Sequence, residues 1–261
     1  MYSLISVAVF SVILLLVAWY WQKRHANAGI VDVAWAFGML FAGLLYSFTG
    51  VAPLFLKVCL GVLTFCWYFR LGYHLQKRVL SEAEDGRYFA MRLAMKEWAQ
   101  YGFLLFFIVQ AGFICLLSLP FWAVAQHTQP HTYFVIAALL IASFALYGVK
   151  TTDHQLAEFR HNPENKGLTC CTGWWRYSRH PNYFFEWLHW FAYPLMGWGG
   201  EYHYALWAAP IVMFIFLYWL TGIPFTEQQA LRSRGDNYRV YQKTTSVFFP
   251  WWPKMQSDKQ S

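Results

Sequence analysis

The sequence predicts an all-α membrane protein, a polytopic bundle of about seven transmembrane helices with its N-terminus outside and a cytosolic cap formed by two loops and the C-terminal tail. Three observations predict this class. Of the 261 residues, 58% are hydrophobic and only 13% are charged, whereas soluble domains carry about 25% charged residues. Apolar stretches of about 20 residues, the length that crosses a bilayer, recur along the chain. The basic residues are concentrated in every other connection between these stretches.

Seven apolar stretches are long enough, or nearly long enough, to cross a membrane. The second and the sixth are short and rich in aromatic residues. The basic residues nearest the first stretch follow it, so we interpret that stretch as a retained helix and not as a signal peptide. The predicted spans are Tyr2–Trp21, Val33–Phe48, Val51–Phe69, Trp98–Ala125, Thr132–Val149, Tyr183–Trp198 and Tyr204–Ile223.

Three polar segments, 70–97, 150–182 and 224–261, carry most of the positive charge. Of the 20 Lys and Arg residues, all except Lys57 lie in these segments or directly after the first span. Short basic connections face the cytoplasm, so this alternation requires an odd number of spans and an N-terminus outside. A basic cytoplasmic face that meets anionic lipid explains the formal net charge of +7, and no nucleic-acid partner is expected.

We expect one membrane domain over residues 1–261, with the chemistry in the C-terminal half at about 132–255. The five cysteines predict no disulfide framework, because three lie within spans and the other two in a loop on the reducing side. A zinc site built from Cys170, Cys171 and nearby histidines would lack any standard ligand spacing. No metal site is therefore expected.

The segment from Gly173 to Glu186 has the densest set of functional side chains. Pro181 suits the first turn of a helix, whose free N–H groups and partial positive charge favour phosphate. Arg176 and Arg179, directly upstream, add planar donors that match phosphate oxygens. An isolated pair of arginines could instead anchor a helix end at the lipid headgroups.

Glu186 lies one helical turn inside the sixth predicted span. Ionisable groups in a span are costly and usually face a cavity or a partner. Asn182, Glu186 and His189 would share one face of the helix. This pattern favours a functional role for Glu186 over a structural ion pair inside the bundle.

Two further pairs share a helix face by their spacing. Asp153 and Arg160 form a stripe where the fifth span enters its polar loop. Tyr238 and Tyr241 lie three residues apart in the tail. The two tyrosines could clamp a ribose or a base, or could simply pack against the bundle.

These motifs together resemble the C-terminal half of the steroid 5-alpha-reductase family. The segments Val31–Trp35 and Trp67–Tyr88 resemble a related, mostly bacterial branch, so that the likeness covers nearly the whole chain. A similar Arg-His-Pro-x-Tyr signature occurs in membrane methyltransferases of the isoprenylcysteine and phospholipid type, which share the helical core. The likeness rests on Asp153, Arg160, the run Arg179-His180-Pro181-Asn182-Tyr183, Glu186, Tyr238 and Tyr241.

The resemblance implies a membrane oxidoreductase of lipid metabolism. It would bind NADPH at the cytosolic face and reduce a carbon–carbon double bond conjugated to a ketone in a small apolar substrate from the bilayer. The bacterial inner membrane is favoured over the endoplasmic reticulum. The residues assigned to cofactor binding are Asp153, Arg160, Arg176, Tyr177, Arg179, His180, Asn182, Tyr183, Glu186, Tyr238 and Tyr241.

The chain departs from that family at the ketone-binding positions. Steroid reductases have an adjacent Gln-Glu pair in the second span and a Tyr in the third. This sequence has no Gln-Glu pair, and Trp67 takes the place of the tyrosine. Asp32 and Tyr68 are therefore the predicted catalytic residues, one of which would hydrogen-bond the substrate carbonyl.

The sequence leaves two other functions open. An S-adenosylmethionine-dependent methyltransferase of the isoprenylcysteine or phospholipid type could use the same pocket. A transporter or scaffold without catalysis would be expected to show broken helices in repeated halves, and no such symmetry is visible.

Overall fold

The computed structural model describes residues 2–254, and within them every regular element is a helix. Six helical stretches in this range are long and apolar enough to cross a membrane, which confirms the predicted helical membrane bundle. The α-helices are α1 (Tyr2–His25), α2 (Ile30–Thr49), α3 (Leu54–Ser81), α4 (Gly86–Met95), α5 (Ala99–Leu117), α6 (Leu119–Ala125), α7 (Thr132–His161), α8 (Pro181–Leu188), α9 (Ala192–Met196), α10 (His203–Leu206), α11 (Ala208–Ile215), α12 (Ile223–Arg234) and α13 (Asp236–Thr244).

The chain forms two compact units. The first unit comprises Met1–Val135 and Tyr193–Leu206, and the second comprises Ile136–Ala192 and Trp207–Ser261. The second unit contains most of the C-terminal half in which the sequence places the cofactor site.

In the first unit, small residues let α2 pack closely against its neighbours. A side chain at Gly43 would come within 2.6 Å of Thr64 on α3. A side chain at Gly38 would come within 2.5 Å of Ile114 on α5. Close helix contacts through small residues are typical of membrane proteins, where packing rather than hydrophobic exclusion drives association.

The polar segment 70–97 is largely helical. The third helix continues past its apolar part to Ser81. The next helix, α4, is capped by Asp85, whose Oδ1 accepts a hydrogen bond from the backbone N–H of Arg87 at 3.0 Å. Such caps stabilise a helix by about 1 kcal/mol.

The sixth predicted span, Tyr183–Trp198, is not a single long helix. It consists of α8, a 3-10 turn over His189–Phe191, and α9, which are 8, 3 and 5 residues long. At about 1.5 Å per residue these pieces reach roughly 24 Å, less than the ~30 Å hydrocarbon core. Pro194 lacks an N–H for the helix ladder, and Gly199 with φ 78° then turns the chain. Residues 2–254 therefore contain six long apolar helical stretches, whereas the sequence predicts seven spans.

The α8 part of this segment is nevertheless one leg of a hairpin, whose two legs, α8 and α11, both belong to the second unit. The Trp187 indole on α8 donates to the Pro210 carbonyl of α11 at 2.9 Å. At the open end of the hairpin, His180 Nε2 lies 3.1 Å from Glu227 Oε1. The loop before α8 and the tail after α11 therefore meet on the same side.

Candidate functional site

The α8 helix begins at Pro181, as the sequence predicts, and the loop before it is held against α7. The Trp175 indole donates to the Thr152 carbonyl at 3.0 Å. The side chain of Gln155 accepts from the backbone N–H of Trp174 at 3.0 Å. These bonds place the arginines of this loop beside the polar end of α7.

The carboxylate of Glu227, on α12, is the centre of the polar site in the second unit. Its Oε1 lies 2.9 Å from Arg179 Nε, 3.1 Å from His180 Nε2 and 3.1 Å from the Tyr238 hydroxyl, which donates to it. The Arg179 contact is an ion pair rather than an aligned hydrogen bond, since the N–H does not point at the oxygen. Its Oε2 accepts from the Gln242 side chain. One carboxylate thus joins the loop before α8 to both tail helices.

Backbone groups complete the attachment of the tail to this loop. The Arg179 guanidinium donates to the Gln242 carbonyl at 2.7 Å, and its own N–H donates to the Ser246 carbonyl at 2.8 Å. The Tyr241 hydroxyl donates to the carbonyls of Trp175 and Ser178. The tail is therefore a fixed wall of the site.

Burial shifts the titration of these groups. Burial, together with the charge of Arg179, holds the pKa of His180 below its ordinary value, although Glu227 acts in the opposite direction. Burial and the charge of Glu227 raise the pKa of Tyr238. Burial raises the pKa of Tyr241 as well. The histidine is thus neutral at neutral pH, and both tyrosines are hydrogen-bond donors there.

The structure separates the predicted cofactor residues into two groups by burial. The buried group, whose side chains bind protein groups as described, comprises Arg179, His180, Tyr238 and Tyr241. The half-buried or exposed group comprises Asp153, Arg160, Arg176, Tyr177, Asn182, Tyr183 and Glu186. Cofactor binding by any of them stays a prediction.

On α8, Tyr183 is held in position by two contacts. Its ring is stacked on that of His180 with centroids 5.5 Å apart. Its hydroxyl lies 3.0 Å from the Thr226 hydroxyl. Asn182 and Glu186 lie on the same short helix and are half-buried, so this face of α8 is only partly covered by protein.

Two pockets open beside this site within the second unit. The first, which we call the cationic pocket, has a volume of about 280 Å³. Among the described residues, its wall contains three cationic side chains, Arg160, Lys166 and Arg234, and no carboxylate. Its lining residues are Leu156, Phe159, Arg160, Asn162, Pro163, Asn165, Lys166, Gly167, Leu168, Cys170 and Arg234.

The second pocket, which we call the tail pocket, has a volume of about 480 Å³. Within the described part of the chain, its wall also contains a cation, Arg176, and no carboxylate. Cys170 lines the cationic pocket, and the next residue, Cys171, lines the tail pocket. The lining residues of the tail pocket are Cys171, Arg176, Asn237, Val240, Tyr241, Thr244, Thr245 and Pro253.

In the first unit, Asp32 belongs to a network of charged and polar groups that joins three helices. Its Oδ1 accepts from the Tyr88 hydroxyl at 2.8 Å, and its Oδ2 lies 3.5 Å from the Arg87 guanidinium. Asp85 binds the same guanidinium at 3.0 Å and that of Arg78 at 3.2 Å. Burial alone would raise the pKa of Asp85, but the hydrogen bonds and charge of Arg87 outweigh it and hold that pKa below its usual value.

The other predicted catalytic residue, Tyr68, lies in the core of the first unit with 1% of its surface exposed. Trp35 meets its ring edge-on at 6.1 Å, and Phe121 packs at 5.7 Å. The structure thus places Asp32 in a polar network between helices and Tyr68 next to aromatic rings.

Several residues of these sites were missed by sequence reasoning. Glu227 is one of three acidic residues in the polar segment 224–261, and only its contacts reveal its importance. Lys166 and Arg234 are 68 positions apart in sequence and belong to one pocket. The sequence could have indicated Tyr88 as the partner of Asp32 only if the ends of α2 and α4 had been known to meet. Within residues 2–254, no group of three His, Cys, Asp or Glu side chains is placed to hold a metal ion.

Comparison with known proteins gives one match. A family profile described as "Protein of unknown function (DUF1295)" matches residues 18–245. No curated protein and no solved structure matches the chain.

Proposed function

Since the chain belongs to this DUF1295 family of unknown function, its activity has to be inferred from its own residues, and we propose that it is a membrane-embedded, NADPH-dependent reductase. Its substrate would be a lipid-like or steroid-like molecule with a carbon–carbon double bond activated by a carbonyl. The reaction site would face the cytoplasm of a bacterial cell.

The observation that carries this proposal is a pair of pockets whose walls, as far as the structure describes them, contain cations and no carboxylate. Arg160, Lys166 and Arg234 line one pocket, and Arg176 lines the other. NADPH has a pyrophosphate and a 2′-phosphate, and guanidinium groups bind phosphate oxygens in pairs. The hydroxyls and amide of Thr244, Thr245 and Asn237 supply uncharged partners of the kind that suit a ribose.

These residues fit NADPH better than they fit S-adenosylmethionine, the cofactor that the methyltransferase alternative requires. That molecule has a sulfonium and an ammonium against one carboxylate, and therefore a net positive charge. Three cations with no carboxylate in a pocket wall repel such a ligand. The charge of the pocket therefore favours the reductase.

The chain itself would hold the reactants and supply a proton. NADPH, when bound, supplies the hydride. Arg160, Lys166, Arg234 and Arg176 would bind its phosphates, and the Glu227 centre would keep the tail wall in place. At the substrate, a hydroxyl that hydrogen-bonds the carbonyl would stabilise the negative charge that develops on its oxygen.

The two predicted catalytic residues, Asp32 and Tyr68, both lie in the first unit, and the donor role of either one stays a prediction. Both oxygens of Asp32 are engaged, by Tyr88 and by Arg87. Tyr68 packs against the rings of Trp35 and Phe121 and has a further polar partner in Tyr193.

The test is cofactor binding to the purified full-length protein. Arg234→Gln should weaken NADPH binding about tenfold, because a charged hydrogen bond contributes about 1.5 kcal/mol. Arg234→Lys should restore part of the affinity. The matched control is Arg239→Gln on the neighbouring α13, whose side chain is 68% exposed and outside both pockets.

Equal NADPH affinity in Arg234→Gln and Arg239→Gln would refute the cationic pocket as the phosphate site. If the protein binds S-adenosylmethionine and does not bind NADPH, the methyltransferase function would replace the reductase proposal.

A further inference from the structure

The end of the tail presents large aromatic rings to its surroundings. Trp251 is 71% exposed and Trp252 is 73% exposed. Phe249, two residues earlier, is 49% exposed. We call these three residues the tail aromatic belt. Rings of this size are normally buried, and a contiguous exposed set indicates an interaction surface.

The backbone of this segment is held in place, so the exposure is not that of a loose end. The Trp251 N–H donates to the Tyr177 carbonyl at 2.9 Å, and the Lys254 N–H donates to the Thr244 carbonyl at 2.8 Å. The Trp252 ring meets the Tyr177 ring edge-on at 5.4 Å. The chain therefore fixes where these rings point.

The belt is continuous with the apolar surface of the last spanning stretch. Phe249 is stacked on Phe214 of α11 at 6.0 Å. Phe248 packs on Tyr218 at 6.1 Å, in the π-helical turn Phe216–Leu220 that ends this stretch. In the same turn, Trp219 is 58% exposed.

The composition of this surface matches the boundary between lipid and water. Trp and Tyr are enriched at that boundary, because their rings are apolar and their N–H or O–H groups are polar. Lys254 lies two residues after Trp252, and a cation near aromatic rings suits the anionic cytoplasmic leaflet. A soluble protein partner would need no continuity with a membrane-spanning surface.

We propose that the tail aromatic belt inserts into the interfacial layer of the bilayer that contains the spans. The belt would thereby attach the end of the tail to the membrane surface. Pro253, the residue after the belt, and Thr244, whose carbonyl accepts from Lys254, both line the tail pocket. Insertion of the belt would hold this pocket beside the lipid phase.

Photocrosslinking of the full-length protein in liposomes of phosphatidylethanolamine and phosphatidylglycerol tests this proposal. The photoreactive residue p-benzoylphenylalanine replaces Trp252 in one variant and Asp236 in the control. Asp236 lies on α13, and its side chain is 99% exposed. Both positions are exposed, so neither replacement removes a buried contact, and size-exclusion chromatography checks that both variants fold.

We expect phospholipid adducts at position 252 and none at position 236, as resolved by mass spectrometry. A crosslinked protein dimer at position 252 would overturn the proposal and assign the belt to contact between copies. A lack of adducts at position 252, or equal lipid adducts at both positions, would also overturn it.

Discussion

A single carboxylate, that of Glu227, contacts four side chains from two other segments of the chain. The Arg179 side chain that it pairs with is only 8% exposed. A buried ion pair adds little stability compared with apolar residues, but removal of one partner leaves an uncompensated buried charge. The role of Glu227 is therefore to hold Arg179 and the tail helices together.

Glu227→Ala should destabilise the protein by about 3 kcal/mol, since it leaves Arg179 buried without its carboxylate. Thermal unfolding in detergent measures the loss as a lower Tm. Asp236→Ala is the control, because Asp236 belongs to an exposed ion pair, whose removal costs less than about 1 kcal/mol. Equal Tm values for the two variants would contradict the role of Glu227.

A second prediction at the residue scale concerns the pH dependence of stability. The pKa of His180 lies below its ordinary value in the folded protein, chiefly through burial. Below an ordinary histidine pKa of about 6.5 the unfolded chain therefore binds more protons than the folded one, and stability falls as pH falls.

The Tm should accordingly decrease between about pH 7 and pH 5. His180→Gln, which removes the titrating ring and keeps a donor, should flatten that decrease. His161→Gln, at an exposed position on α7, should leave it unchanged. If the His180 variant shows the same slope as the unaltered protein, this histidine does not govern the pH response.

At the scale of elements, the contact between α7 and α8 depends on a glycine. Gly148 on α7 faces the ring of Phe185, and a Cβ there would come within 2.3 Å of it. Phe185 is fully buried, so its ring has no free space into which it could move. The absence of a side chain at Gly148 is what allows α8 to approach.

Gly148→Ala should therefore destabilise the protein by about 1–3 kcal/mol through overpacking. Gly112→Ala is the matched control, since Gly112 is also within a helix and its added Cβ would meet no atom within 4 Å. At position 112 the higher helix propensity of Ala should stabilise the protein by up to about 1 kcal/mol. Thermal unfolding of both variants in the same detergent gives the comparison, and equal shifts would refute the tight contact.

At the scale of the whole molecule, the hairpin whose legs are α8 and α11 bears on the predicted membrane topology. Its two open ends meet at His180 and Glu227, so the loop before it and the tail after it lie on one side. If the hairpin crosses the membrane, its turn near Glu201 lies on the opposite side. The basic loop before α8 would then lie in the cytoplasm, in agreement with the predicted N-terminus outside.

Cysteine labelling can test that topology. In a variant without the exposed cysteines Cys66 and Cys171, Glu201→Cys should react with a membrane-impermeant maleimide in intact cells. Lys166→Cys should react only after the membrane is permeabilised. Labelling of both positions from the same side would show that the hairpin enters the bilayer and returns without crossing.

Much of this protein could be predicted from the sequence because the relevant forces are local. A window of about 20 apolar residues identifies a span whatever lies around it. Pro181 predicts the start of α8 because its missing N–H costs nothing in a first turn. The grouping of Arg and Lys in polar segments needs no knowledge of packing.

Only the tertiary structure decided which polar groups meet. Glu227 binds His180 across 47 positions, and Asp32 binds Tyr88 across 56. Buried polar groups have to find partners wherever the fold offers them, and no local pattern records those distances. For this reason the sequence alone predicted Arg179 as a phosphate ligand from its type and neighbours. The fold placed Arg179 beside a carboxylate and set Arg160, Lys166 and Arg234 around a pocket.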